Sequence, residues 1–396
     1  MKIAFVLLDK ASDFTHQSMI LNRSILDHTL SALKRSGLDR IYLVSDKDLS
    51  LDITTIDSKA IKDYIEEDSK LLFIDSSFAL IRPRAIKRSF RQLESYDLIK
   101  LHKKKANQFC LLRSSILMES GHHASIDNLL EEINKLENLK EINQQILKSN
   151  KKDYLQVTDL KSQQKALSIL QKRINYKWLK KGVFIEAPEE SYIDASVTIG
   201  KGTTIEAGCR LLGQTSIGEH CHIGYQTKIV DSKIGNNVTI EISHISQAVI
   251  DAYVTIGPFA RIRPNSHLKE RVHIGNFVEV KNASLGKNTK AGHLAYIGDA
   301  DLGEDINIGC GVVFVNYDGK FKYRSTIDDR AFIGSNANIV APVHVKSEAW
   351  VAAGSTISKD VDPGNLAIER GKRKDILGYA ERKKQRDLLK EKQKEK

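Results

Sequence analysis

The stretch RIRPNSHLKERVHIGNFVEVKNASLGKNTKAGHLAYIG, from Arg261 to Gly298, sets Arg263, Glu279, Lys281, His293 and Tyr296 close together in the chain. A guanidinium grips a phosphate through a planar fork and an ammonium adds a point charge, so Arg263 with Lys281 reads as a phosphate pair. The plain alternative is a set of exposed salt-bridge partners. A neutral imidazole near pH 7 is a natural general base for an amine or hydroxyl nucleophile, which points to His293 between Gly292 and Leu294. The chain has twelve histidines, so a purely structural role competes for each of them. His220, His222, His244, His267, His273 and His293 are scattered and form no ligand triad at metal spacing. Downstream, GVVFVNYDGKFKYRST combines aromatics, an Asn-Tyr-Asp-Gly turn and several cations, and Asn316, Tyr317 and Lys322 are the site candidates on it. A turn with a solvated charge cluster is the alternative there.

A repeat must position these residues. Aliphatic side chains return every six positions through Ile193, Ile199, Ile205, through Ile217, Ile223, Ile229, from Ile250 to Val280, and from Ile327 to Ile357. A helix of about 3.6 residues per turn rotates a six-residue period off any single face, whereas a strand period of about two keeps it on one. Gly follows the aliphatic at many of these positions, which supplies a permissive backbone wherever the chain bends between short strands. Hexapeptide repeats of this kind build a parallel β-helix, and a run from near Tyr192 to about Val361 makes about nine turns. The period breaks between Ile308 and Ile327, over a run too long for a corner. A loop must project there, and in repeat folds such insertions gather on one face and often carry binding.

Residues 1 to 150 have a different pattern, in which the apolar runs IAFVLL, IYLV and KLLFID alternate with the amphipathic stretches SILDHTLSALKRSG, KAIKDYIEE and RAIKRSFRQL. This is a βαβ order, hence an α/β domain with a mostly parallel sheet. Apolar residues at helical spacing between Val157 and Ile174 predict one linking helix, within a segment 151–182, ahead of a coil domain at 183–370. A basic tail, 371–396, closes the chain. Residues 370 to 396 hold twelve Lys or Arg against five Asp or Glu, so most of the net charge of +11 sits at that end. Such a tail reads as a solvated, partly helical or disordered segment, and no nucleic-acid partner is expected. Cys110, Cys209, Cys221 and Cys310 show neither disulfide nor metal spacing, which fits a reducing compartment. The apolar run in MKIAFVLLDK is too short for a signal region or a membrane span, so a cytoplasmic location is expected.

The strings GPFARIRP, HIGNFVEVKNASLGKNTKAGHLAYIGDADLGEDINIG, VNYDG, FIGSN, APV, AAGSTISKDV and LAIER, in unbroken order over about 257 to 370, carry a resemblance. The chain resembles the acetyltransferase half of the bacterial bifunctional N-acetylglucosamine-1-phosphate uridyltransferase / glucosamine-1-phosphate N-acetyltransferase. The resemblance implies acetyl-CoA-dependent conversion of glucosamine 1-phosphate to N-acetylglucosamine 1-phosphate, in the supply of amino-sugar nucleotides for the bacterial cell wall. It makes His293 the base that takes a proton from the sugar amine. Arg263, Glu279, Lys281, Tyr296 and Asn307 would surround the sugar phosphate. Cys310, Asn316, Tyr317, Lys322, Ser335, Ala353 and Arg370 would lie on the acetyl-CoA side. Cys310 stands where the family usually has Ala; the role there is a backbone N–H aimed at a developing oxyanion, which survives a side-chain change. The coil is expected to be left-handed, against the usual preference of parallel crossovers, and the assembly a homotrimer with sites shared between copies. Acetyl transfer of this kind needs no metal.

The N-terminal half departs from that family. A glycine-rich loop like LAAGxGTRM is expected after the first strand, where glycines let backbone amides approach a triphosphate. This chain has LLDKASDFTHQSMILNRSILDHTL instead, with no glycine between Met1 and Gly37. Asp75 in LLFIDSS is a vestigial metal candidate, and Thr158 stands at the position of the second ligand. One carboxylate holds magnesium poorly between phosphates, so a Mg2+ role is doubtful. Loss of uridylyl transfer is expected, with residues 1 to 150 left as a degenerate nucleotidyltransferase-like remnant. The alternatives are an acyltransferase for another amino-sugar acceptor, because fold alone does not fix function, and a non-catalytic scaffold or regulator.

Overall fold

A computed structural model describes residues 1–8, 19–21, 23–45, 52–57, 60–78, 80–100, 109–119, 143–146, 155–371 and 373–394. The stretch 9–18, where the glycine loop is missing, and the expected boundary at 150 lie outside them. The chain divides into two compact units, Met1–Ile242 and Ser243–Lys396.

In the first unit a seven-stranded sheet runs in the order Thr55–Ile56, Arg40–Val44, Lys2–Leu7, Lys70–Asp75, Phe109–Arg113, Leu98–Lys100, Gln144–Ile146. The first four strands are parallel to one another. Phe109–Arg113 runs antiparallel to both of its neighbours, so the sheet is mixed. Alternation along Lys2–Leu7 explains two cores. Ala4 and Val6 pack with Leu26, Leu30 and Leu33 of the Ile25–Lys34 helix and with Ile86 and Phe90 of the Pro83–Gln92 helix. Ile3 and Phe5 pack on the other face with Tyr42, Phe73 and Ile61. Ser24 and Asp27 form a capping box that starts the first helix. The KAIKDYIEE stretch contracts to one 3-10 turn, Ile61–Tyr64; Glu66, Glu67 and Asp68 follow Ile65, so no further apolar turn continues the stripe.

The linking helix spans Leu160–Lys180, starting at Asp159 as N-cap and running past the expected end at Ile174. Trp178 is buried near its end, and the Asn175 side chain donates to the Pro188 and Ser191 carbonyls, so tertiary contacts extend the helix beyond its apolar period. Gly182, at φ +81°, turns the chain out of the helix. Coiling therefore begins at Phe184–Ile185, ahead of Tyr192. That strand pairs in parallel with Thr204–Ile205, which pairs with His222–Ile223 and then with Thr239–Ile240. Ile185, Ile205, Ile223 and Ile240 stack inward and are buried, each contributing about 1.5–3 kcal/mol of burial. Burial also pushes the Cys209 thiol up to about 12, which makes it an inert core residue.

The second unit repeats this plan. One face consists of Thr255–Ile256, His273–Asn276, Lys290–His293, Asn307–Ile308, Phe332–Ile333, Trp350–Val351 and Leu366–Ala367 in parallel register. Elsewhere each coil adds two further short strands. The longer strands Glu279–Leu285 and Tyr296–Leu302 instead pair along their whole length, in register Glu279 to Tyr296 and Leu285 to Leu302. The apolar column Ile262, Val280, Ile297, Phe314, Ile339 and Ile357 fills the interior. The fold is thus a mixed α/β sheet followed by a parallel β-helix of hexapeptide repeats. The basic tail carries a helix, Tyr379–Lys394, exposed over residues 379–387.

Candidate functional site

Register sets the first group of side chains. Because Ile262, Val280 and Ile297 point inward, the alternate positions point out, and consecutive coils stack Arg261, Glu279 and Tyr296 in one outward row. The next outward row is Arg263, Lys281 and Gly298. Arg263 Nη1 donates across the two rows to Glu279 Oε1 at 2.7 Å. Both side chains are about a third exposed, and a pair at that exposure is worth about 1 kcal/mol or less, a weak tie for the guanidinium. A Cβ at Gly298 would run into the hydroxyl end of Tyr296. The ring therefore leans over the one position in the Arg263–Lys281 row without a side chain.

His293 ends the Lys290–His293 strand, just before Tyr296, at a corner. It pairs with Asn276 one coil earlier, and its Nδ1 lies 3.0 Å from Asn276 Oδ1. An amide oxygen only accepts, so Nδ1 is the donor; in the neutral ring that leaves the lone pair on Nε2, the tautomer a general base needs. The corner continues through backbone bonds from Gly311 N to Leu294 O, Asn336 N to Cys310 O and Gly354 N to Ser335 O. His293, Cys310, Ser335 and Ala353 thus occupy one corner row in successive coils, with backbones spaced by about 4.8 Å. Gly309 N and Gly311 N on either side of Cys310 have carbonyl acceptors, whereas no backbone acceptor is found for the Cys310 N–H among the described residues. Arg370 reaches Gly354 at the end of this row; its Cδ is 3.8 Å from where a Cβ would stand.

The break in the period is a projecting hairpin. Val313–Val315 leads into it, an antiparallel bridge joins Tyr317 to Lys322, and Ser325–Ile327 resumes the coil. Asp318 accepts from the Lys320 and Phe321 amides, and these bonds hold its carboxyl below the usual range. Arg324 clasps Asp301 with two donors and adds bonds to the Asn282 and Ala300 carbonyls. At the hairpin root Asn316 is buried and donates to Asp299, and to Tyr296 Oη at 3.5 Å. Lys322 meets Lys281. Contact with the second ammonium and its like charge hold Lys322 below the ordinary lysine range.

The structure brings Arg263, Glu279, Lys281, Tyr296, Asn316 and Lys322 onto one face, with His293, Cys310, Ser335 and Ala353 along the adjoining corner. It does not bring Asn307 to that face. Asn307 pairs with Lys290 and Phe332 on the face before the corner. Tyr317 is exposed, its hydroxyl donating to Gly319 O at 2.6 Å. Asn276, Asn282, Asp299 and Arg324 had not been singled out from the sequence. The signal for Asn276 and Asn282 was that they precede His293 and Asp299 by the same interval that separates Glu279 from Tyr296, one full coil. Among the described residues no group of three or more His, Cys, Asp or Glu could hold a metal ion. No helix among them is long and apolar enough to cross a membrane.

Comparison with known proteins agrees with the repeat. Residues 196–230 match the bacterial transferase hexapeptide (six repeats) family, and residues 325–359 match the hexapeptide repeat of succinyl-transferase. The bifunctional protein GlmU of Caldicellulosiruptor saccharolyticus is 50% identical over 216 residues, 54% of this chain and 47% of that protein. The GlmU of Clostridioides difficile is 48% identical over 223 residues, 56% and 49% of the two chains. That of Alkaliphilus metalliredigens is 43% identical over 234 residues, 59% and 51%. The chain spans about half the length of the curated relatives it matches. Among solved structures, the Francisella novicida UDP-N-acetylglucosamine acyltransferase aligns over 46% of this chain and 66% of that one, with 21% identity and a TM-score of 0.26.

Proposed function

We propose that the chain is an acyltransferase that moves the acetyl group of acetyl-CoA to the amine of glucosamine 1-phosphate, giving N-acetylglucosamine 1-phosphate. The observation that carries this reading is the pairing of His293 with Asn276 beside the Arg263, Lys281 and Tyr296 face. His293 Nε2 takes the proton as the amine attacks the thioester carbon; a C–N bond forms and a C–S bond breaks. The Cys310 N–H, one coil along the corner, faces the oxygen that gathers charge. Its thiol is not needed, because the amine attacks directly. Arg263 and Lys281 hold the 1-phosphate, Arg by its fork and Lys by its charge. Tyr317 on the hairpin, with Ser335, Ala353 and Arg370, lines the donor side, and Asn316 and Lys322 stand where that side meets Tyr296 and Lys281.

A homotrimer is the assembly we propose, with Asn307 reaching a neighbouring copy's site. Phe259, Phe277 and Leu294 support this. All three are more than half exposed and hold positive φ of 59°, 57° and 43°, and the two rings stack at 5.3 Å. Bulky apolar residues at strained, exposed corners cost about 1–3 kcal/mol each in backbone strain, and burial against another copy offsets that cost. The uridylyl step is absent in this reading, and the cytoplasm is the proposed location. A thiol-release assay with acetyl-CoA and a panel of amino sugars, with and without a 1-phosphate, tests the function. Release should depend on the amine and rise steeply with the phosphate. Equal rates on glucosamine and its 1-phosphate would move the assignment to another acceptor, and no release with any amino sugar would leave a scaffold.

A further inference from the structure

Asp299 is a carboxylate only 8% exposed, at a coil corner where its backbone takes φ +50°. Asn282, one coil earlier, holds φ +47° and donates its amide to Asp299 Oδ1 at 2.5 Å. Asn316 donates to Asp299 Oδ2 from the other side. Asp and Asn tolerate left-handed backbone, so a polar corner ladder alone needs only these residue types. The same molecule supplies a comparison. Asn288 donates to Asp305 Oδ1 at 2.9 Å at another corner, but there the carboxylate is exposed. Corner geometry is therefore met with a solvated carboxylate, whereas the Asn282–Asp299–Asn316 ladder buries its charge, which is costly unless cations compensate it.

The compensating charges are Lys322 and Arg324. Asp299 attracts both Lys322 and Arg324, and Lys281 stands on the strand paired with that of Asp299. The path from Asp299 to Lys322 is also short and runs through hydrogen bonds. Asn316, tied to Asp299, accepts from Tyr323 N at 2.9 Å, and the Tyr317–Lys322 bridge closes the hairpin above it. We propose that Asp299 is a positioning residue, which holds the Asn316 root of the hairpin and the adjoining ammoniums of Lys281 and Lys322 together as a receptor for a phosphate-bearing acceptor. This rests on the acetyl-transfer reading for the identity of the acceptor, but not for the existence of the anion receptor.

The test compares full-length Asp299→Asn with Asp305→Asn, by calorimetric binding of inorganic phosphate and by thiol release with glucosamine 1-phosphate and glucosamine. Asp299→Asn should weaken phosphate binding and raise KM for the phosphorylated acceptor at least tenfold, with KM for unphosphorylated glucosamine unchanged. The alkaline limb of kcat/KM should move to lower pH, because Lys322 loses the counter-charge of Asp299. Asp305→Asn should change none of these. A gain in phosphate affinity, the result expected from mere removal of a negative charge, would overturn the proposal, as would an equal loss in Asp305→Asn. If the wild type releases no thiol yet Asp299→Asn still loses phosphate, the receptor stands and the acetyl-transfer reading falls. Should Asp299→Asn not fold, Asn316→Ala carries the test: it must also weaken phosphate, and unchanged binding there refutes the role.

Discussion

The mixed sheet near the N-terminus and the coil that fills residues 184–367 use the same aliphatic residues to opposite ends. In the sheet, seven strands of different length meet in an order unlike their order in the chain, and both faces are covered. In the coil, each strand pairs with its counterpart one turn on, and the residues between the inward ones point out. Glycine marks the difference: of 24 in the chain, only Gly37 and Gly121 precede Gly182. A covered sheet hides the side chains on both of its faces. A stacked coil can line up polar groups from distant parts of the sequence on one row, at a spacing of about 4.8 Å fixed by backbone bonds.

That contrast is open to test, beginning with the largest effect. His293→Ala should lower acetyl transfer by about 10² to 10⁴, the usual worth of a general base, with the coil still folded by circular dichroism; a near-normal rate would empty the corner of its chemistry. Phe314→Ala removes a ring buried to 1% exposure in the column and should destabilise the coil by about 3–5 kcal/mol in a denaturant titration. Lys281→Ala should raise KM for the phosphorylated acceptor by roughly tenfold with little change in kcat, the mark of lost ground-state binding. The same KM should climb in the wild type as pH rises through the depressed value of Lys322, since the ammonium there gives up its proton earlier than an ordinary lysine. The smallest expected signal belongs to the sheet. Purified protein with UTP, magnesium and N-acetylglucosamine 1-phosphate should release no pyrophosphate, and release at an enzyme-like rate would erase the contrast between the two regions.

Much of the coil was legible because a six-residue period has one structural solution, and the broken period between Ile308 and Ile327 marked the hairpin. Arg263, Lys281, His293 and Tyr296 stood out by residue type alone. Asn307 did not join them on the chain's own face, since its strand precedes the corner at which His293 and Tyr296 meet. The linking helix overran its apolar period because Trp178 and Asn175 find tertiary partners past Ile174.

Sequence alone determined the repeat, the inward column, the projecting loop and the lack of a glycine loop near the N-terminus. Each is a local matter of period or residue type. Which outward residues touch was decided only by the folded coil, because the coils are not all of one length: Thr255 to His273 is a longer step than Glu279 to Tyr296, and the hairpin stretches the step from Asn307 to Phe332 further. A slip of a single position turns a side chain to the opposite face. Register therefore chose Asn276 as the partner of His293, and it placed Asp299 between Asn282 and Asn316.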